Sequence, residues 1–135
     1  MRTLLRLALA GIAVSALLPG LQATLAPRSF YTGFPAGRGW VELLPPYNEH
    51  RVRDVGAFYL AFALLFAWAT VRRELIVPLT VAWSVFSTLH AAFHITHLDG
   101  FSTADAIAQT ASLLAVIALP LSAPAILPRA VQPPR

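Results

Sequence analysis

The chain has 135 residues, of which 57 % are hydrophobic and only 12 % charged, about half the charged share of a soluble globular domain. Too few polar groups remain to cover a water-facing surface, so lipid is the expected solvent. The net charge of +4 comes from ten Arg and no Lys against six acids. These arginines are scattered at the ends of apolar segments rather than clustered, which excludes a nucleic-acid surface. The absence of Cys excludes disulfides, thiolate metal sites and dithiol redox chemistry.

Four apolar runs follow one another, at 7–27, 55–71, 75–98 and 106–128. A helix needs roughly 20 apolar residues to cross the hydrocarbon core. Four strands cannot close a barrel, and isolated strands would leave amides unpaired in lipid. The runs therefore predict an all-α integral membrane four-helix bundle in a single domain, 1–135, with spans near 5–26, 49–72, 75–98 and 103–122. The segment from Met1 to Arg6 resembles a signal-peptide n-region, and Thr24-Leu25-Ala26 resembles a cleavage site. Pro27 is ill suited to follow a scissile bond, however, and the run is long for an h-region. The first span is read as retained.

The longest piece between spans is the loop 27–48, in which Phe30, Tyr31, Phe34 and Trp40 lie among Gly and Pro. It reads as an anchoring belt of aromatics, or as a short helix flat on the membrane surface. Pro45-Pro46 stops any preceding helix. Asn48 is the expected N-cap of the second span, with Glu49 in its first turn. Val71-Arg72-Arg73-Glu74 is a short turn that makes the second and third spans antiparallel neighbours. Asp99-Gly100 ends the third span with a residue suited to positive φ. Ser102-Thr103-Ala104-Asp105 has capping-box spacing for the fourth. The Pro-rich tail, 123–135, is expected to be irregular. Gly56 and Ala57 are small enough to let helices approach closely.

Arginine placement sets the expected orientation. With both termini cytoplasmic, Arg2, Arg6, Arg72, Arg73, Arg129 and Arg135 are inside, and Arg28, Arg38, Arg51 and Arg53 face outward. Loop 27–48 is then extracytoplasmic.

The third span holds His90, His94 and His97, which lie within roughly 60° of one another on a helix turning about 100° per residue. Trp83 and Ser87 continue the stripe inward. His50 begins the second span at the same end, with Asp54 one turn on. Asp105, Gln109 and Ser112 share a face of the fourth span. Polar faces avoid lipid, so these groups are expected to meet in an outer-leaflet ligand pocket of His50, Asp54, His90, His94, His97, Asp105 and Gln109, with Glu49 and Arg53 at its rim. Imidazoles with carboxylates behind them suit a divalent transition metal, for which His50, His90 and His94 are candidate ligands. Axial ligation of haem and proton relay are further uses. A hydrogen-bonded network that only fixes helix register is the competing reading.

The stretch from Pro45 to Gly56, PPYNEHRVRDVG, and the later His90…His94…His97-Leu98-Asp99-Gly100 resemble those of a group of small uncharacterised actinobacterial membrane proteins. That group is distantly similar to the DoxX-like four-helix membrane proteins, and the likeness runs from about Leu25 to Pro120. The resemblance implies a compact bundle that crosses the bacterial plasma membrane several times. It implies no activity and no catalytic residue. The expected function is that of a small accessory or ligand-binding membrane protein, with a lipid bilayer around it and a partner membrane protein or a second copy beside it. The alternative is a metal- or haem-dependent membrane enzyme using His50, His90 and His94.

Overall fold

The computed structural model describes residues 2–44 and 46–126. Every regular element among them is helical: α1 (Arg2–Leu25), α2 (Pro27–Gly33), α3 (Glu49–Ala69), α4 (Ile76–Ile95) and α5 (Thr103–Ile126). A 3-10 turn at Arg73–Leu75 leads into α4. Three segments are long and apolar enough to cross a membrane: Thr3–Leu25, Glu49–Ala69 and Arg73–Ile95. The apolar stretch Thr103–Leu119 of α5 is shorter. The helices turn apolar side chains outward, as a lipid-facing coat does; Leu4, Leu7, Leu18, Val81 and Leu89 are each more than half exposed.

Local chemistry sets the helix ends. Asn48 caps α3, its side chain accepting the Arg51 amide at 3.1 Å. Ser102 caps α5: the Asp105 amide donates to Ser102 Oγ at 3.1 Å, and that hydroxyl in turn donates to Asp105 Oδ2 at 2.7 Å, in place of the backbone bond that would complete a capping box. Gly100 takes the left-handed conformation, φ +84°, between α4 and α5. Helix α4 stops at Ile95, before the expected limit of 98, and just past it the Thr96 hydroxyl shares its hydrogen between the carbonyls of Ala92 and Phe93. Pro78 sits in the first turn of α4, where a missing N–H costs nothing. Pro19 lies inside a continuous α1. Helical backbone continues to Ile126, past the expected start of the irregular tail, and residues 127–135 lie outside the described part.

Two kinds of seam join the long helices. Helix α1 packs most extensively along α3, and α4 along α5, while α1 also meets α5 and α3 faces α4. The α1–α3 seam uses small residues: Ala13, Ala16 and Ala23 of α1 and Gly56 and Ala63 of α3 are all buried. A Cβ on Gly56 would lie 2.8 Å from the Thr24 amide nitrogen and 3.0 Å from Ala23 Cβ. The α3–α4 seam uses rings instead. Phe58 meets Phe86 at 4.7 Å between centroids, and Trp83 meets Tyr59, Phe62 and Phe66 at 5.7, 5.2 and 5.7 Å. Rings hold the α3 and α4 backbones further apart than alanines hold α1 and α3. The core of Leu5, Leu9, Ile12, Phe66, Ile76 and Trp83 is dense at the end where α3 turns into α4. The opposite end, beneath loop 34–48, holds a cavity.

Candidate functional site

The cavity has a volume of about 340 Å³ and draws its walls from every long helix. Helix α4 contributes a stripe of Trp83, Phe86, Ser87, His90 and His94, residues three or four apart that face the bundle axis. Helix α5 supplies Gln109, Ser112, Leu113 and Val116 opposite them, α3 supplies Tyr59, and α1 supplies Ser15 and Pro19. Phe30, Phe34, Trp40, Val41 and Leu44 form the roof. Residues 30–44 are thus not a plain surface belt: Phe30 and Phe34, one turn apart with centroids at 4.7 Å, turn inward. Their i, i+4 spacing in a Gly/Pro-rich loop is the sequence signal for two rings on one side, Phe30 within α2 and Phe34 at the extended residue that ends it.

The walls are largely apolar, with a few buried polar atoms. Gln109 is 4 % exposed, Ser87 3 % and His94 9 %. Gln109 Oε1, Ser87 Oγ and His94 Nδ1 are buried and have no hydrogen-bond partner. An unpaired buried polar atom is costly, and the hydroxyls of Thr24, Thr80 and Ser84, away from the cavity, are unpaired in the same way. The imidazoles are held by ring contacts. His90 stacks on Phe86 at 5.4 Å and meets His94 edge-on at 4.4 Å.

Of the seven expected pocket residues, the structure brings together His90, His94 and Gln109. His50 and Asp54 pair with each other at 3.4 Å on the outer surface, their side chains 85 % and 63 % exposed, and neither lines the cavity. The two are neighbours along α3, but on a helical face turned away from the interior. His97 lies beyond the end of α4; its ring stacks on Phe93 at 4.1 Å and its Nδ1 lies 2.8 Å from the Phe93 carbonyl. Glu49 and Arg53 form a surface pair at 2.9 Å, and Arg53 also donates to the Thr24 carbonyl near the end of α1. Among the described residues, no group of three or more His, Asp or Glu is placed to hold a metal ion. His50 therefore stands apart from His90 and His94 rather than completing a ligand set with them. His50→Ala is expected to leave the melting temperature unchanged, because an exposed i, i+4 pair contributes little; a clear drop in a thermal melt would contradict this placement.

Asp105 is also outside the cavity, as the latch of its roof. Arg38 Nε and Trp40 Nε1, both from the roof loop, donate to Asp105 Oδ1, the latter at 2.8 Å, while Ser102 holds Oδ2. The loop is thereby tied to the first turn of α5, where a carboxylate is favoured by the helix dipole. Asp105→Ala removes all three bonds together. Trypsin cleavage at Arg38 is expected to rise about tenfold, since cutting follows the population of the open loop. An unchanged rate would show that the apolar roof contacts alone hold the loop.

The arrangement is that of a helical protein of membrane character with a partly open, ring-lined cavity between its long helices. No protein-family profile, curated protein or solved structure matches the chain.

Proposed function

We propose that this chain is a multi-pass protein of the bacterial plasma membrane, with four spans and both termini cytoplasmic, that binds a small uncharged molecule in the cavity beneath its roof loop. It acts as an accessory or ligand-binding protein. The observation that carries this reading is the cavity of about 340 Å³ itself, walled by every long helix, faced by Tyr59, Trp83 and Phe86, and lined by no charged side chain among the described residues. Support for the span count comes from the helical continuation of α5 to Ile126, at about 1.5 Å of rise per residue long enough to match its neighbours. Support for the orientation comes from the arginines beside the turn end, Arg72 and Arg73, together with Arg2 and Arg6 at the start of α1.

The test uses purified protein in nanodiscs titrated with naphthalene, a neutral probe within the size of the cavity. Saturable binding, corrected for empty nanodiscs and lost in Leu113→Trp, which fills the space, is the expected result. Absence of saturable binding would remove the ligand-binding reading. A stoichiometric metal or a Soret band in the purified protein would replace it with the metal- or haem-dependent one. Reporter fusions at each end test the orientation, and an external terminus would overturn it.

A further inference from the structure

Resting on that reading, we infer that the cavity fills sideways from the bilayer, through a doorway between α1 and α5, and that its ligand is an apolar molecule carried in the hydrocarbon layer. The other sides of the cavity are closed. The roof loop covers the top, held to the first turn of α5 by the bonds from Arg38 and Trp40 to Asp105. The core of Leu5, Leu9, Ile12 and Phe66 fills the bottom. Gly20 and Gly56 bring α1 and α3 into close approach. The rings of Phe58, Tyr59 and Phe86 bridge α3 and α4. Trp83 ties α4 to α5 by donating its indole N–H to the Val116 carbonyl at 3.3 Å. The seam that remains is that of α1 and α5.

Two side chains mark the opening there. Among the described residues that line the cavity, only Ser15 of α1 and Ser112 of α5 are exposed; the others are buried or half-buried. A side chain that borders an interior space and is also exposed lies where that space meets the outside. Nearer the core, Val116 of α5 packs against the cluster that holds Leu9 and Ile12 of α1. One turn closer to the roof on each helix, the small side chains of Ser15 and Ser112 stand instead. The opening is deep in the membrane. Ser112 lies about 14 Å from the start of α5 and Ser15 about 15 Å from the end of α1, at about 1.5 Å of rise per residue. Those depths are near half of the roughly 30 Å hydrocarbon core, out of reach of headgroups and water.

The doorway and the walls behind it make no polar demand. Ser15 donates its hydroxyl hydrogen to the Ile12 carbonyl and Ser112 to the Gln109 carbonyl, each at 2.8 Å, so both hydroxyls are turned onto their own helices. Beyond them stand the rings of Tyr59, Trp83 and Phe86, and among the described residues no charged side chain. Gln109 Oε1, Ser87 Oγ and His94 Nδ1 are buried too deeply for a ligand to touch. An ion would meet no counter-charge, whereas an apolar molecule leaves one hydrocarbon surrounding for another and gains contact with the rings.

The test uses the protein in nanodiscs, with saturable naphthalene binding as the reference. Two phospholipids are compared as competitors, one with a naphthyl group at the end of an acyl chain and one with a naphthyl group on its headgroup. Bound naphthalene, corrected for empty nanodiscs of the same lipid, is measured by equilibrium dialysis. The chain-end probe reaches the depth of Ser15 and Ser112, and it should compete at least about tenfold better than the headgroup probe. In Ser112→Phe the chain-end probe should lose about tenfold or more relative to free naphthalene, because a chain must stay threaded through the doorway. Ser15→Phe is the second variant should the first itself fill the cavity. Failure of the chain-end probe to compete, better competition by the headgroup probe, or competition undiminished in both variants overturns the inference while leaving the ligand-binding cavity standing. If free naphthalene does not saturate the parent chain, both fall together.

Discussion

Trp83→Ala is expected to destabilise the protein by about 3 kcal/mol or more. Trp83 is 1 % exposed and lies at the junction of the dense core and the cavity. Its ring touches Tyr59, Phe62, Phe66 and Phe86, and its indole N–H reaches the Val116 carbonyl on α5. In a bilayer the gain from leaving water is absent, since lipid tails are as apolar as the core, so packing carries the energy. The void left by trimming Trp to Ala, roughly 140 Å³, costs about 24 cal/mol per Å³ where the surroundings do not collapse. That product gives the figure without any transfer term. The ladder of rings on α3 resists collapse, because each is already wedged against a neighbour. Trp83→Phe keeps most of the volume and should lose less than half as much. Denaturant titration of the protein in mixed micelles measures both variants. Equal stability of Trp83→Ala and the parent chain would show that the ring ladder does not hold α3 to α4.

Gly56→Val is expected to prevent correct assembly of α1 on α3. Even the first added carbon would lie 2.5 Å from Thr24 Oγ1 and 2.8 Å from the Thr24 backbone nitrogen. A side-chain hydroxyl can rotate away, but backbone cannot, so the helices must separate along a seam of buried alanines. Ordinary overpacking costs about 1–3 kcal/mol, and here the spacing of the most extensive helix contact in the chain is at stake. Gly56→Ala should therefore already lower the unfolding midpoint, and Gly56→Val should yield little folded protein on size-exclusion chromatography. Gly11→Ala is the control. A Cβ at Gly11 meets nothing within 4 Å, and the gain in helix propensity makes this change neutral or mildly stabilising. If Gly56→Ala and Gly11→Ala behave alike, the close approach at Thr24 is not limiting.

Much of the architecture was legible because it depends on neighbours in sequence. Asn48, Ser102 with Asp105, and Gly100 each act within one turn of their own position, and each ends or starts a helix where its chemistry says it should. The apolar runs marked the helices, since membrane length and composition are properties of a segment. The stripe Trp83, Ser87, His90 and His94 was readable for the same reason: a helical repeat of three and four determines which residues share a face. His97 belongs to the same arithmetic but lies beyond the last turn of α4, where its ring stacks on Phe93 instead of facing inward.

What the chain's order of residues determined by itself is its solvent, its helices and the inward face of α4. Only the tertiary structure decided which other faces meet that stripe. His50 and Asp54 were placed at the correct end of the bundle, yet α3 presents Tyr59 to the cavity and turns that pair outward. The rotation turns Gly56 toward Ala23 and Thr24 of α1, a close approach that a larger side chain would prevent. Likewise Asp105 has the spacing to join Gln109, but Arg38 and Trp40, more than sixty residues earlier, claim its carboxylate for the roof. Hydrogen bonds and close packing between distant segments depend on helix rotation about the long axis, and periodicity along one segment carries no information about the rotation of another.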